Sequence, residues 1–108
     1  MADKLWKKFE RRAARFFGAE RNPLSGGNAR HSRSDSLHDT LYIECKYSKR
    51  HAIVNLWDKS KPLADKEKKI PVVVLGVRGR HGFWVMCHSD DLTAVANQRA
   101  LAAREGDG

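Results

Sequence analysis

Apolar residues recur at helical spacing near the start of the chain, while the opposite face is basic and includes Arg11. This pattern predicts a helix over residues 4–18, with Gly18 as its end. Glu10 lies at the border of the apolar stripe, where a helix of about 100° per residue places it. The stripe is formed by Leu5, Phe9, Ala13 and Phe16, with Trp6 and Phe17 widening it.

A second segment, residues 41–47, is rich in β-branched, aromatic and aliphatic residues, and this composition predicts a strand. Because side chains two positions apart share one face of a strand, Glu44 and Lys46 are expected to project together. Residues 38–40 are typical of a turn. A hairpin at this turn would fold Asp35 back toward Glu44.

The rest of the chain predicts a helix over residues 52–68, interrupted or kinked near Pro62, and a strand over residues 71–76 that is buried on both faces. A basic turn leads to a strand over residues 83–87, and Ser89 is expected to cap the last helix. This order predicts an α/β fold with a mixed sheet flanked by helices. We expect a single domain over residues 1–104 and a flexible C-terminal tail over residues 105–108.

The charge of this 108-residue chain indicates a polyanionic partner. The formal net charge is +8 and the sequence pI is about 9.9, which favours nucleic acid. No apolar run approaches the ~20 residues of a membrane span, and the first residues do not resemble a signal peptide. Cys45 and Cys87 lie in strand-like runs, which suits buried free thiols in a reducing compartment better than a disulfide. We therefore expect a cytoplasmic protein. We also expect no membrane association and no small-molecule cofactor.

The acids on either side of the predicted hairpin suit a hard divalent cation such as Mg²⁺, for which Mn²⁺ would substitute. Asp35 and Glu44 would be ligands, and the backbone carbonyl of Cys45 would supply a further oxygen. Lys46 would lie beside the water that attacks a phosphodiester. The alternative is an exposed strand face on which Glu44 and Lys46 simply form a salt bridge.

These residues also carry a family resemblance. Asp35 followed by Glu44-x-Lys46 matches the PD-(D/E)xK nuclease pattern, although Ser34 stands where the pattern has proline. Upstream, the order of Glu10 in a helix, Arg21 and then Ser25-Gly26 in a loop is similar to that of the archaeal-type Holliday junction resolvases, including phage-borne relatives. The resemblance covers about residues 3–88.

The resemblance implies a restriction-endonuclease-like fold and a homodimer that nicks two strands of like polarity at a branched DNA junction. It implies that Glu10 completes the acidic cluster, either directly at the metal or through water. The alternative for Glu10 is a salt bridge within the helix to Lys7, three residues earlier. Ser25 and Arg21 would contact the scissile phosphate or the water beside the metal. A phage-encoded resolvase would act in the host cytoplasm. Further contacts to the DNA backbone are expected from Arg11, Arg30, Arg33, Lys49 and Arg50.

Other functions fit the same residues. A nuclease of the same superfamily acting on flap, nicked or single-stranded DNA would use the same chemistry, and a structure-specific DNA-binding module would use the charge without catalysis. An RNA-binding module fits less well, because Tyr42 shares its predicted strand face with Glu44 and Lys46. His38 is close enough in sequence to reach the site. For a dimer surface, the sequence favours the second helix or the strand that begins at Phe83.

Overall fold

The structure is a computed structural model that describes residues 2–23 and 34–107, with side chains from residues 5–23 and 34–106. The chain divides into two compact units, Met1–Lys49 and Arg50–Gly108. The described part contains three α-helices and two small antiparallel sheets, which confirms a mixed α/β protein. The restriction-endonuclease-like arrangement and the single domain stay predictions. No helix in this described part is long and apolar enough to cross a membrane.

Helix α1 spans Ala2–Phe16 and ends as the sequence predicts. Gly18 has a φ of 68°, a left-handed conformation that glycine adopts without a steric penalty. Its N–H donates to the carbonyl of Arg15 at 3.0 Å, and the N–H of Ala19 donates to the carbonyl of Ala14 at 2.8 Å. These two bonds form a Schellman motif, which satisfies the last carbonyls of the helix and turns the chain away from it.

The buried face of α1 differs from the predicted apolar stripe. Ala14 and Glu10 are the buried residues, 1% and 3% exposed, whereas Leu5 and Phe16 remain about half exposed. The helix packs on a pair of two-residue strands, β1 (Glu20–Arg21) and β2 (Ser36–Leu37). Because this two-stranded sheet is small, it covers only the side of α1 that carries Glu10 and Ala14. Much of the apolar stripe stays in contact with solvent.

Strands β1 and β2 pair antiparallel, with Arg21 opposite Ser36. The prediction of a regular strand over residues 41–47 was wrong, since this segment forms no strand in the structure. Side-chain bonds hold it instead. The buried hydroxyl of Ser34 accepts from the N–H of Ile43 at 2.7 Å and donates to the Ile43 carbonyl at 2.9 Å. The Ile43 carbonyl also accepts from the backbone N–H of Asp35, so side-chain and backbone bonds together attach this segment to residues 34–35 without forming a strand.

In the second unit, helix α2 spans Ala52–Lys66 and passes through Pro62 without the predicted interruption. Strands β3 (Val73–Leu75) and β4 (Trp84–Met86) form an antiparallel hairpin at the predicted positions. The prediction that the first of these strands is buried on both faces was wrong. Its middle residue, Val74, is 56% exposed, because one face of a two-stranded ribbon has no covering layer here.

The last helix, α3, spans Leu92–Asp107, so helical structure extends through residues that the sequence assigned to a tail after residue 104. A short 3-10 turn over Ser89–Asp91 precedes it. The capping residue of this turn is His88, whose Nδ1 accepts from the N–H of Asp90 at 3.0 Å. The predicted cap at Ser89 was therefore wrong by one residue, because an imidazole nitrogen also accepts this bond.

Candidate active site

A buried polar scaffold fixes the backbone around Asp35. Asn22, which follows β1, donates from Nδ2 to the carbonyl of Ser34 at 3.0 Å, and its N–H donates to the carbonyl of Asp35 at 2.9 Å. The N–H of Asp35 donates to the carbonyl of Ile43 at 2.7 Å. Hydrogen bonds therefore hold both sides of Asp35, which fixes where its carboxylate can point.

The carboxylate of Asp35 lies against the segment that contains Glu44 and Lys46, as the predicted fold-back requires. Its Oδ2 accepts a hydrogen bond from the backbone N–H of Cys45. Because this bond uses one carboxylate oxygen, Oδ1 is left for another partner. The predicted role of the Cys45 carbonyl as a metal ligand stays a prediction.

Glu10 is the most unusual ionisable residue of the first unit, because its side chain is 3% exposed. Neither of its carboxylate oxygens has a hydrogen-bond partner among the described residues. Among the described residues, the opposite charge paired with Glu10 is Arg21, with Nε 3.5 Å from Oε1, where the sequence suggested Lys7. Burial raises the pKa of Glu10, Arg21 opposes that effect, and Asp35 and then Glu44 add to it. A buried carboxylate so poorly paired costs stability, which favours a functional role.

Arg21 is also turned inward. Its guanidinium carbon lies 5.4 Å from the centroid of the Trp6 ring, and only 16% of its side chain is exposed. The guanidinium thus combines a cation–π contact with the ion pair to Glu10. In this conformation Arg21 balances the buried acid, and its predicted contact with DNA stays a prediction.

Glu44 and Lys46 meet at the surface. The Lys46 ammonium lies 3.1 Å from Oε1 of Glu44, and both side chains are well exposed, which is the geometry of the salt-bridge alternative. The hydrogen bond to Glu44 and the charge of that carboxylate raise the pKa of Lys46, and Asp35 contributes further. Lys46 therefore stays protonated at neutral pH. A protonated Lys46 can stabilise negative charge, whereas it cannot act as the base that removes a proton from water.

Cys45 lies where the fields of the predicted acidic residues overlap. Burial raises the pKa of its thiol first, and the carboxylates of Asp35, Glu10 and Glu44 raise it further in that order. Three acids from α1, the end of the buried scaffold and the 41–47 segment thus act on one position. The sequence separation of Glu10 and Glu44 shows that this grouping is a product of the tertiary fold.

The donor chemistry fits a hard cation. Every candidate ligand atom is an oxygen, and the unpartnered oxygens of Glu10 lack the partner that such an ion would provide. Within residues 5–23 and 34–106, no three His, Cys, Asp or Glu side chains converge closely enough to hold a metal ion. Glu44 is exposed and its carboxylate is paired with Lys46. When bound, Mg²⁺ would neutralise charge on a phosphate oxygen and supply an activated water.

The other predicted site residues lie in different surroundings. Arg11 is exposed on α1, Lys49 lines a cavity beside Glu10, and Arg50 is exposed at the start of the second unit. Ser25, Arg30 and Arg33 lie outside the described residues. His38 is used in the turn, where its Nδ1 accepts from the N–H groups of Thr40 and Leu41, each at 3.0 Å.

Sequence reasoning missed the residues that support the acids. Ser34 entered only as a departure from the nuclease pattern, and Asn22 was one residue of a polar loop. Ser34 is adjacent in sequence to Asp35, and Asn22 is adjacent to Arg21. This proximity to predicted site residues is the sequence feature that could have indicated a supporting role. The aromatic cavity beside Glu10 was also missed, because its rings were assigned to a helix stripe and to a strand.

The arrangement as a whole brings Glu10, Asp35 and Glu44 within electrostatic reach of one another, beside the exposed ammonium of Lys46 and the mostly buried guanidinium of Arg21. In general, carboxylate oxygens are ligands that hard divalent cations accept, and an ammonium can stabilise a phosphate that gains negative charge. No model of a protein family, no curated protein and no solved structure matches the chain.

Proposed function

We propose that this chain is a metal-dependent endodeoxyribonuclease that resolves four-way DNA junctions by paired nicks in strands of like polarity. The observation that carries the proposal is Glu10, a buried carboxylate without a hydrogen-bond partner among the described residues. Burial raises its pKa first, against the opposing charge of Arg21, and Asp35 and Glu44 raise it further. Electrostatic grouping of separate acids around a buried site is typical of functional sites. The resemblance to junction resolvases supplies the substrate.

The roles follow from the surroundings of each group. Asp35, Glu44 and the Cys45 carbonyl are the proposed ligands of Mg²⁺, with Glu10 acting directly or through water. Lys46, kept protonated by its neighbours, places positive charge where the phosphate gains negative charge. Arg21 neutralises Glu10 before the cation enters. Mn²⁺ is expected to replace Mg²⁺, because both accept oxygen ligands.

The proposed partners are branched DNA and a second copy of the chain. The net charge of +8 supports attraction to a polyanion. The proposed contact surface for the second copy is the β3–β4 hairpin. Its apolar residues Val74, Val85 and Phe83 are 56%, 54% and 65% exposed. Apolar side chains grouped in this way commonly mark protein interfaces. A cytoplasmic site of action is part of the same proposal.

The test is cleavage of a labelled synthetic four-way junction in Mg²⁺, beside linear duplex, flap, nicked and single-stranded DNA of matched sequence. Asp35→Asn and Lys46→Ala remove the proposed ligand and the proposed positive charge. Asp39→Asn and Lys59→Ala are the matched controls, because both residues are exposed and lie outside the acidic cluster. We expect paired, symmetric nicks from the wild type and both controls, and at least a 100-fold loss from the two site variants.

Other results would redirect the proposal. Cleavage of flap, nicked or single-stranded DNA in place of the junction would keep the nuclease and change the substrate. Junction binding without any cut in Mg²⁺ or Mn²⁺ would contradict catalysis. It would favour a structure-specific DNA-binding module, the function most consistent with the surface ion pair between Glu44 and Lys46.

A further inference from the structure

A cavity of about 510 Å³ opens beside the buried carboxylate of Glu10. Its walls are mainly apolar and come from α1 and from the segment that follows Glu44. Besides Glu10, the lining includes three aromatic residues, Trp6, Phe9 and Tyr47, and two lysines, Lys46 and Lys49. The cavity therefore shares Glu10 and Lys46 with the candidate active site and adds an aromatic surface next to it.

The aromatic rings have the geometry of a stacking platform. The rings of Phe9 and Tyr47 are stacked, with centroids 5.2 Å apart and planes inclined by 24°. Tyr47 is nonetheless 51% exposed, so part of its surface stays available. A planar group entering this cavity would extend an existing stack, with the favourable energy of aromatic contact and little rearrangement of the protein.

The charges around the cavity suit a group that carries phosphates. Lys46 and Lys49 line it, and the guanidinium carbon of Arg12 lies 5.8 Å from the centroid of the Phe9 ring. A nucleotide combines a planar apolar base with an anionic phosphate on a short linker. Such a ligand places its base among the rings and its phosphate beside the lysines, which is the general pattern of single-strand recognition.

We propose that this cavity receives one unstacked nucleobase of a bound DNA strand. The inference rests on the proposed function, because it takes DNA as the ligand, and it narrows the substrate to DNA that offers an unstacked base. A continuous duplex keeps its bases stacked, whereas a bulge, a flap, a single strand, or a junction opened at its crossing point offers a base that is not. The base in the cavity would hold the neighbouring phosphate near Lys46 and the acidic cluster.

The test compares two fluorescein-labelled duplexes in EDTA, where metal-dependent cleavage is prevented. One carries a single extrahelical adenine, and the other carries an abasic residue at that position. Fluorescence anisotropy should show that the wild type binds the adenine duplex about tenfold more tightly, as expected when one base stacks on an aromatic ring. Tyr47→Ala should reduce this preference to less than about twofold, whereas Tyr47→Phe, which keeps the ring, should preserve it.

A second readout avoids any effect of substitution on folding. With 2-aminopurine as the extrahelical base, binding to the wild type should quench its fluorescence. Equal affinity for the adenine and abasic duplexes, or a 2-aminopurine signal unchanged by saturating protein, would overturn the proposal. Junction cleavage in Mg²⁺ separates the two claims. Cleavage with no base preference would leave the nuclease without this pocket, and base preference without cleavage would leave the pocket in a binding module.

Discussion

The two units of the chain differ in what they bury. The first unit buries polar groups, namely Glu10, Asn22, Ser34 and Ser36, together with Ala14 and Ile43. In the second unit, α2 has no buried residue, and the β3–β4 hairpin exposes Val74 and Val85. Buried polar groups cost free energy unless they are paired, and exposed apolar groups forgo the hydrophobic gain of burial.

This difference separates the roles of the two units. The side chains of Asn22 and Ser34 are hydrogen-bonded, whereas the Glu10 carboxylate, which lies at the candidate site, has an ion pair with Arg21 but no hydrogen-bond partner among the described residues. The stability of the first unit thus depends on the same residues that form the candidate site. The second unit keeps apolar area that a partner surface would cover, so its contribution is expected to lie in association.

The largest expected effect comes from removing the buried charge. Glu10→Gln should lower junction cleavage about 100-fold or more, because the proposed site loses a carboxylate. The free energy of unfolding should not fall, because the cost of burying the Glu10 charge, which raises its pKa, outweighs the ion pair with Arg21, and a neutral amide avoids that cost. Cleavage assays and urea unfolding measure the two quantities. The control is Glu67→Gln, at an exposed position just after α2. If Glu10→Gln lost stability but kept full cleavage activity, Glu10 would have a structural role instead.

Two buried serines differ in whether the hydroxyl is hydrogen-bonded, so substituting each of them measures what that bonding contributes to stability. Ser34 and Ser36 are 2% and 1% exposed, but only the Ser34 hydroxyl bonds to Ile43, while the Ser36 hydroxyl has no partner among the described residues. Ser34→Ala should lower the free energy of unfolding by about 2 kcal/mol, because it leaves the N–H of Ile43 unsatisfied. Ser36→Ala should change it by less than about 0.5 kcal/mol. Equal losses would contradict the scaffold described here.

The pH dependence of stability provides a third comparison. Because burial raises the pKa of Glu10 above 4.5, the folded protein retains the Glu10 proton at pH values where the unfolded chain releases it. The Glu10 contribution should therefore favour folding at low pH and weaken as the pH rises from 4.5 through the raised pKa. Urea unfolding in EDTA should show the wild type losing stability relative to Glu10→Gln over this window. A pH-independent difference between the two would contradict the raised pKa.

The smallest effect on folding is expected in the hairpin of the second unit. Val85→Lys should change the free energy of unfolding by about 0.5 kcal/mol or less, because the side chain is already 54% exposed. Its effect on association should be larger, and sedimentation velocity should show a shift from dimer to monomer. Leu101→Lys, at an exposed apolar position on α3, is the control. Unchanged sedimentation would exclude this face as the dimer surface.

Local rules were sufficient for part of the fold. Gly18 ends α1 because its left-handed conformation suits glycine, and α2 and the β3–β4 strands follow from short-range patterns. The same rules failed for residues 41–47, whose composition favours a strand. There the Ser34 hydroxyl and the Asp35 carboxylate bind the backbone beside the backbone bond from Asp35 to Ile43, and no short-range pattern in the sequence reveals such side-chain bonds.

The sequence by itself determined the basic charge, the helices and the identity of the acids and the lysine in the candidate site. These properties depend on composition and on residues a few positions apart. Only the tertiary structure decided that Arg21 rather than Lys7 pairs with Glu10, and that the buried line of α1 passes through Glu10 and Ala14. Burial depends on what packs against a helix. That contact joins residues distant in sequence, so helical spacing narrows the choice of buried face and packing selects it.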